Sequence, residues 1–422
     1  MWQNLLGALG IKELKVRFLN TLLMLAIIRI GTFIPVPYIL AEKLKSLVEQ
    51  GGVLGLLNLF SGGGLANASL FALGVLPYIN ASIIMQLLTS VIPRLEELSR
   101  EEGQEGREQI QKYVRYLTVV LGTLQSYAMA VALSRLGMLK ETSFLSLSII
   151  ALALTAGAML ILWLGELLTE IGIGNGVSLI IFAGIIARLP SSIISAFQLV
   201  RTGELHIFTL ALGLAGSVIL LAATIFTYQA ERRIPVQYAR KVVGRRVYGG
   251  QSTYLPLKLI QAGVLPIIFA SSFLVFPSSI AQFIGGTTLR KFGEILADSN
   301  GLTHNIIFFL LIIFFTYFYT SITFDPNRLA NDIKKYGGYI PGIRPGEATA
   351  AYIGAVLSRA TFPAAVFLGL IAISPNIFTS ILGLRAFIFG GTAILIVIGV
   401  ALETMRQIES YLLVRHYEGL LK

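Results

Sequence analysis

The side chains that most often bind metal ions or catalyse reactions are sparse in this sequence. Its 422 residues include three histidines and no cysteine. His206, His304 and His416 are far apart, and none stands in the HExxH spacing that brings two zinc ligands onto one helix face. Without cysteine, disulfides, thiol catalysis and thiolate metal sites are excluded. We therefore predict a protein without catalytic residues, metal or cofactor.

One glycine-rich segment, Gly172-Ile-Gly-Asn-Gly176, faintly resembles a nucleotide-binding loop. Its spacing differs from the GxGxxG pattern, no predicted strand precedes it, and the chain has no GxxxxGKS or GxxxxGKT sequence. We interpret the segment as a tight turn between two helices. The sequence therefore predicts that this chain hydrolyses no nucleotide.

Acidic residues are absent from the middle of every long apolar segment, and Glu166, Glu170 and Glu403 lie at segment ends. Transporters that couple to protons or sodium commonly place a carboxylate inside the helix bundle. The sequence therefore predicts that whatever passes through this protein is not held by a buried charge. The polar residues that do occur within the segments carry amides or hydroxyls, which usually bond neighbouring helices: Asn80, Gln86, Thr89, Gln125, Thr155, Gln261 and Thr392.

The composition identifies the apolar segments as membrane spans. Hydrophobic residues make up 55% of the chain and charged residues 13%, whereas soluble globular domains carry roughly 25% charged residues. A spanning helix needs about 20 mostly apolar residues. The pattern predicts an all-α integral membrane protein with ten such helices, near residues 20–39, 73–92, 116–136, 144–165, 177–200, 207–228, 259–282, 304–324, 354–374 and 386–404.

The stretch from Gln50 to Pro93 contains no charged residue and is interrupted by Ser61-Gly-Gly-Gly64. It is too long for one span and too short for two spans with a loop. One interpretation is a half-inserted segment, about 54–71, followed by a full span. Because lipid does not tolerate irregular backbone, such a segment would be buried in protein or line a cavity. The other interpretation is a glycine hinge between two ordinary helices, and the sequence leaves both open.

The distribution of basic residues predicts the orientation in the membrane. The net charge is +11, and if both termini are cytoplasmic, 22 of the 33 lysines and arginines fall in cytoplasmic segments and eight in outer ones. Basic residues collect on the cytoplasmic side, where they also contact anionic lipid headgroups. We therefore predict a multi-pass protein with both termini in the cytoplasm and with anionic lipids as partners.

Two of the predicted cytoplasmic loops are larger than connectors need to be. Residues 229–258 carry seven basic residues and one acidic residue, interleaved with Val and Tyr in a pattern that predicts a β-like hairpin. In residues 325–350, Lys334 and Lys335 precede a Gly-Gly turn, and Arg344 stands within a Gly-Ile-Arg-Pro-Gly turn. A basic surface with aromatic residues suits RNA phosphate or an acidic protein. Charge that merely fixes the topology is the alternative.

Over nearly its whole length the chain resembles the SecY family, the channel subunits of the bacterial Sec protein translocase. The matching motifs occur in order: Arg29-Ile-Gly-Thr-Phe-Ile-Pro-Val-Pro37, Phe60-Ser-Gly-Gly-Gly64, Phe71-Ala-Leu-Gly-Val-Leu-Pro-Tyr-Ile79, Trp163-Leu-Gly-Glu166, Gly172-Ile-Gly-Asn-Gly176, Gly244-Arg-Arg-Val-Tyr248, Leu255-Pro-Leu-Lys258 and Gly342-Ile-Arg-Pro-Gly346. The resemblance implies two pseudo-symmetric halves of five helices, 1–200 and 201–422, around a central pore. It also implies a half-inserted plug helix at about 57–70 that includes Leu57, Phe60, Gly62, Gly63, Gly64 and Leu65.

The resemblance further implies a pore constriction made of aliphatic side chains. Alignment of the motifs assigns the constriction to Val75, Ile79, Ile83, Ile181, Ile268 and Ile396. Family members usually carry isoleucine at the first position, so Val75 would give a slightly wider neck. Branched apolar side chains offer no hydrogen bonds and exclude water from an empty neck. Without the resemblance, the same residues would be interpreted as core packing.

A lateral gate and a docking surface also follow from the resemblance. The gate, between the second and third and the seventh and eighth helices, would open towards lipid and involve Asn80, Gln86, Gln125 and Gln261. The SecA motor ATPase and the ribosome, through RNA and protein at its exit site, would dock on Arg245, Arg246, Lys334, Lys335 and Arg344. SecE and often SecG would complete the complex.

The predicted function is a protein-conducting channel of the bacterial cytoplasmic (inner) membrane. The channel would pass unfolded secretory polypeptides and release membrane-protein helices sideways, driven by SecA or the ribosome and with no enzyme activity of its own. The alternative is a secondary transporter of a small solute, because ten spans and broken helices also occur in that class. The missing mid-span carboxylates and the large basic loops favour the channel.

Overall fold

A computed structural model shows a predominantly helical protein with two small antiparallel sheets. It describes residues 11–49, 52–100, 103–238, 241–243, 246–248, 252–261, 263–284, 291, 293, 295–296, 298, 301–382 and 391–420. The helices are α1 (Lys12–Gly31), α2 (Ala41–Glu49), α3 (Gly52–Phe60), α4 (Leu76–Val91), α5 (Pro93–Arg100), α6 (Gly103–Arg135), α7 (Phe144–Ile171), α8 (Gly176–Arg201), α9 (Ile207–Gln229), α10 (Leu265–Ile284), α11 (Leu302–Thr323), α12 (Pro326–Lys335), α13 (Glu347–Leu382) and α14 (Gly391–Leu420). The strands are β1 (Glu231–Tyr238), β2 (Lys241–Val243), β3 (Arg246–Tyr248), β4 (Ser252–Lys258) and β5 (Gly338–Tyr339).

Seven helices in the described part of the chain are long and apolar enough to cross a membrane by themselves. They belong to α6, α7, α8, α9, α11, α13 and α14. An eighth span results if α4 and α5, which are bent by 107° at the break before Pro93, are counted together. Each predicted span overlaps one helix, so the helical membrane fold is confirmed. The count of ten spans stays a prediction.

The first predicted span is displaced in the structure. The sequence predicts a helix over residues 20–39, whereas α1 begins at Lys12 and ends at Gly31. Proline lacks a backbone N–H and disfavours the helical conformation in the residue before it. Pro35 and Pro37 therefore keep the chain after α1 irregular, and Pro35 forms an antiparallel bridge with Ser69 instead.

Contacts between residues divide the chain into two compact units whose segments alternate along the sequence. Unit 1 comprises Met1–Leu210, Ser271–Asn305 and Val400–Lys422, and unit 2 comprises Ala211–Ala270 and Ile306–Gly399. The predicted boundary at residue 200 lies close to the end of the first segment of unit 1. The predicted halves, 1–200 and 201–422, are defined by pseudo-symmetry between two sets of five helices, whereas the two units are defined by contacts. The division into symmetric halves therefore stays a prediction.

The helices of unit 1 are joined by packing and by polar contacts. α6 packs against α4 and α7, and α7 packs against α8. Thr155 of α7 donates a hydrogen bond to Ser126 Oγ of α6 at 3.0 Å. Nearer one end of the same helix pair, Arg115 Nε and Glu166 Oε1 form an ion pair at 2.8 Å. α4, which carries the predicted constriction residues Ile79 and Ile83 and has Val75 as its N-cap, thus packs on α6, and α6 is in turn bonded to α7.

The two basic loops fold together within unit 2. β1 pairs antiparallel with β4 on one side and with β5 on the other, which gives the strand order β4–β1–β5. The predicted β-like pattern of residues 229–258 is therefore confirmed. We call β1, β4, β5, α12 and the first turns of α13 the loop platform. Its core consists of six buried aliphatic side chains: Ile234, Val236, Leu257, Ile333, Ile340 and Ile353.

Ile353→Ala should loosen the loop platform. Ile353 has 0% exposed surface, and deleting most of a fully buried aliphatic side chain typically costs about 2–5 kcal/mol. Limited proteolysis of membrane vesicles should show faster cleavage between β1 and β4. The matched control is Tyr352→Ala, because Tyr352 is 40% exposed. Equal cleavage rates for the two variants would contradict a shared core beneath the two loops.

Candidate functional site

The predicted plug segment, residues 57–70, is helical only at its start. α3 ends at Phe60, and residues 61–75 run through consecutive turns. Gly62 and Gly63 have φ values of +62° and +92°. This left-handed region costs glycine little and terminates a right-handed helix. The helix predicted over 57–70 thus covers only residues 57–60. The three large apolar residues that the resemblance assigns to the plug are buried: Leu57, Phe60 and Leu65.

The turns of the plug segment are fastened to the irregular chain that follows α1. The Val36 N–H donates to the Ala68 carbonyl at 2.8 Å. Two residues later in the plug segment, the Leu70 N–H donates to the Ile34 carbonyl at 2.8 Å. Backbone polar groups that are buried away from water must be paired, and in lipid irregular backbone persists only when it is enclosed by protein. The two irregular segments satisfy this requirement for each other.

Asn58 organises the interior of the plug segment. It has 0% exposed surface, and its Oδ1 accepts a hydrogen bond from the Ala66 N–H at 3.0 Å. Ser61 Oγ accepts one from the Leu65 N–H at 3.1 Å. Polar side chains therefore supply acceptors that a continuous helix would have provided through its own carbonyls.

α1 and α8 both position the turn at Gly62. Arg29 Nη1 on α1 donates to the Gly62 carbonyl at 2.6 Å. On α8, Gly184 approaches the same turn so closely that a Cβ added to Gly184 would lie 2.7 Å from Gly62 Cα. A backbone atom cannot move aside as the end of a flexible side chain can. The plug segment therefore rests on α8 only because position 184 has no side chain.

The six predicted constriction residues are all buried. They are Val75, Ile79, Ile83 and Ile181 in unit 1 and Ile268 and Ile396 in unit 2, with exposed fractions between 0% and 4%. Val75, the N-cap of α4, precedes Ile79 and Ile83 at intervals of four residues. Residues four apart share one face of a helix. Burial of aliphatic side chains is typical of a constriction and of core packing alike, so the pore ring stays a prediction.

The predicted lateral-gate amides lie on different elements. Asn80 and Gln86 belong to α4 and Gln125 belongs to α6, which packs against α4, while Gln261 follows β4 in unit 2. Gln86 Nε2 donates to Ser82 Oγ of its own helix at 3.2 Å. Pairing of these amides across a gate stays a prediction.

Arg344 is exposed on a turn whose backbone is fixed. Gly342 and Gly346, on either side, have φ values of +80° and +104°. Thr349 Oγ1 donates to the Arg344 carbonyl at 2.8 Å, and Thr349 itself is 1% exposed. The Arg344 side chain is exposed. The turn predicted from the sequence is present, and the anchor at Thr349 is visible only in the structure.

Three of the other predicted docking residues, Lys334, Lys335 and Arg246, lie in described elements, and the fourth, Arg245, does not. Lys334 and Lys335 are exposed in the last turn of α12, where positive charge is also favoured by the helix dipole. Arg246 lies in β3, paired with Val243 of β2. Arg245 lies outside the described residues. The two lysines therefore belong to the loop platform, and Arg344 lies in the turn between two of its elements, β5 and α13.

Sequence reasoning did not assign four residues that position these sites: Arg29, Asn58, Gly184 and Thr349. A charge inside a predicted span was the available signal for Arg29, and a lone amide within an apolar stretch was the signal for Asn58. Gly184 carries no local signal, because its role depends on Gly62, which is remote in sequence. Thr349 bonds a carbonyl only five residues away, but a threonine near the start of a helix does not by itself indicate that bond.

Gly184→Ala should displace the plug segment from α8. The chain has no cysteine, so a single Leu65→Cys reports on this segment. Leu65 is 1% exposed, and we expect its thiol to react slowly with a maleimide until Gly184→Ala is added. The control is Ser195→Ala, an equally small change at an exposed position of α8. Unchanged labelling in the Gly184→Ala background would show that the close approach to Gly62 is not needed.

Comparison with known proteins identifies relatives along the whole chain. The protein translocase subunit SecY of Mycobacterium tuberculosis (strain ATCC 25618 / H37Rv) is 46% identical over 447 residues, and the match covers 100% of both chains. A solved SecY structure, described as one whose plug domain stabilises the closed state of the translocation channel and maintains a membrane seal, matches with a TM-score of 0.68 at 19% identity. That match covers 94% of this chain and 92% of the other.

A second solved structure is Sec61 in the canine ribosome–channel complex from the endoplasmic reticulum. It matches with a TM-score of 0.63 at 17% identity and covers 94% of this chain and 92% of that one. At such identities the structures show a shared fold, and the family assignment depends on the sequence. The SecY family model matches residues 69–405. With that match and 46% identity over the full length of a curated relative, the chain belongs to the SecY family.

Proposed function

We propose that this chain forms the protein-conducting channel of a bacterial cytoplasmic membrane. Unfolded secretory polypeptides cross through it, and membrane-protein helices leave it sideways into lipid. The observation that carries the proposal is the plug segment, a charge-free stretch that is hydrogen-bonded to Arg29 of α1 and to the chain after α1. The same segment lies directly against Gly184 of α8. Both termini lie in the cytoplasm, in agreement with the distribution of lysine and arginine.

The physical basis of conduction is an apolar neck. Branched aliphatic side chains at Val75, Ile79, Ile83 and the other constriction positions form no hydrogen bonds with a passing chain, so peptides of any sequence are not retained. An empty neck of this kind excludes water and therefore ions. Membership of the SecY family leaves the alternative, a secondary transporter of a small solute, without support.

Energy for transport comes from partners that dock on the loop platform. The docking proposal is supported by the antiparallel pairing of Gln237 with Tyr339, which joins the two basic loops into one folded surface. Exposed Arg344, Lys334 and Lys335 give this surface positive charge, which suits the phosphates of ribosomal RNA or an acidic face of the SecA motor ATPase. SecE and SecG complete the complex, and anionic lipids contact the basic loops.

Arg344→Glu should reduce motor-driven export by about tenfold or more, because reversing a charge at a docking contact replaces attraction by repulsion. The measurement is entry of an unfolded secretory protein into vesicles that contain the full chain with SecE, after addition of SecA and ATP. The control is Arg201→Glu, the same charge change at the exposed end of α8. Equal export by both variants would remove the docking role of Arg344.

Deletion of residues 57–70 should raise the ion conductance of planar bilayers several-fold, because the apolar neck alone then separates the two sides. Gly184→Ala should raise conductance in the same direction with the whole chain length retained. Ser195→Ala should leave it unchanged. If both the deletion and Gly184→Ala leave the bilayer as tight as the unmodified chain, the segment is not a seal.

A further inference from the structure

A cavity of about 300 Å³ lies within unit 1 beside the plug segment. α1 and α8 form most of its wall, and Ser61 and Gly62 of the plug segment form part of it. The wall is largely aliphatic and aromatic, with Leu25 of α1, Ile161 of α7 and Phe182 of α8 among its members. Ligand pockets begin at about 300 Å³, so the cavity is large enough for a segment of a small apolar molecule.

Arg29 is the one charged residue in the described wall of this cavity. Its Nη1 donates to the Gly62 carbonyl at 2.6 Å, and its guanidinium carbon lies 5.3 Å from the centre of the Phe33 ring. A guanidinium carries five N–H donors. The bond to Gly62 therefore uses only part of the hydrogen-bonding capacity of Arg29.

A second arginine, Arg188, directly follows Ala187 of the cavity wall on α8. Arg188 is half-buried, and the charges of Arg188 and Arg29 act on each other. In the part of the chain that the structure describes, neither Arg29 nor Arg188 forms an ion pair with a carboxylate. Charged side chains within a membrane protein normally pair with an opposite charge or with backbone carbonyls. The Gly62 carbonyl is such a partner for Arg29, but it does not neutralise the positive charge of Arg29 or of Arg188. The two charges therefore favour an anion beside the cavity.

We propose that this cavity binds an anionic phospholipid, with part of one acyl chain against the apolar wall and the phosphate at Arg29 and Arg188. An uncharged apolar occupant would leave both arginines without a counter-ion, and a small anion would leave the apolar wall uncovered. This site is separate from the basic loops of unit 2, and it does not depend on whether the chain conducts polypeptides.

Tryptophan fluorescence in bilayers tests the site on the full chain. Trp2 and Trp163, the two natural tryptophans, are replaced by phenylalanine. Phe182→Trp then reports from the cavity wall, and Phe197→Trp, at a position of α8 that is 55% exposed, reports from bulk lipid. Quenching is measured as phosphatidylglycerol or phosphatidylcholine with brominated acyl chains replaces the unlabelled lipid. Leu25→Trp is a second cavity reporter if Phe182→Trp fails to fold.

The cavity reporter should show tighter binding of phosphatidylglycerol than of phosphatidylcholine, by about fivefold for each contributing arginine. Phe197→Trp should show no preference. Arg188→Gln should reduce the preference about fivefold without touching the plug segment, and Arg29→Gln should reduce it further. Equal preference at both reporters would mean general surface attraction and would overturn the site. So would an unchanged preference in both arginine variants, or the absence of quenching at the cavity reporter.

Discussion

The pairing of backbone polar groups in an apolar environment is the constraint on which the centre of unit 1 depends. Residues 61–75 are irregular, and lipid would leave their N–H and C=O groups without partners. The chain after α1 is irregular as well, because Pro35 and Pro37 end helical structure. The two segments lie together and exchange hydrogen bonds at Val36 and Leu70. Each irregular segment supplies hydrogen-bond partners for backbone groups of the other, which allows both to be buried inside the protein.

The loop platform obeys a different constraint, because it carries charge outside the apolar spans. Aliphatic residues of β1 alternate with exposed ones, and the buried set packs against Ile333 and Ile353. A charged loop without such a core would lose its geometry on each encounter with a partner. The shared core includes Ile333 of α12, and Ile343 packs against it. It therefore anchors the segments that carry Lys334, Lys335 and Arg344, so a partner meets a preorganised pattern of charge.

Arg29 connects the plug segment with the cavity beside it. Its guanidinium donates to the Gly62 carbonyl, and Arg29 is part of a cavity wall whose other residues are uncharged and mostly apolar. Gly184 completes the arrangement from α8, since any side chain there would push Gly62 away. A lipid phosphate at Arg29 would therefore bind the same guanidinium that positions the turn at Gly62. The lipid and the plug segment would then share Arg29 as a hydrogen-bond donor.

Hydropathy and charge are local properties, so the sequence by itself determined the helical membrane fold, the β pattern of residues 229–258 and the basic character of both loops. It also located an unusual charge-free segment at 50–93, although the Gly-Gly-Gly run shortens the helix there to residues 57–60 of the predicted plug. Only the tertiary structure decided that Arg29 bonds Gly62, 33 residues away. It also decided that the turn at Gly62 packs directly against Gly184 and that β1 pairs with β5. These contacts bring together segments remote in sequence, and their specificity lies in shape and hydrogen bonding, which no local pattern records.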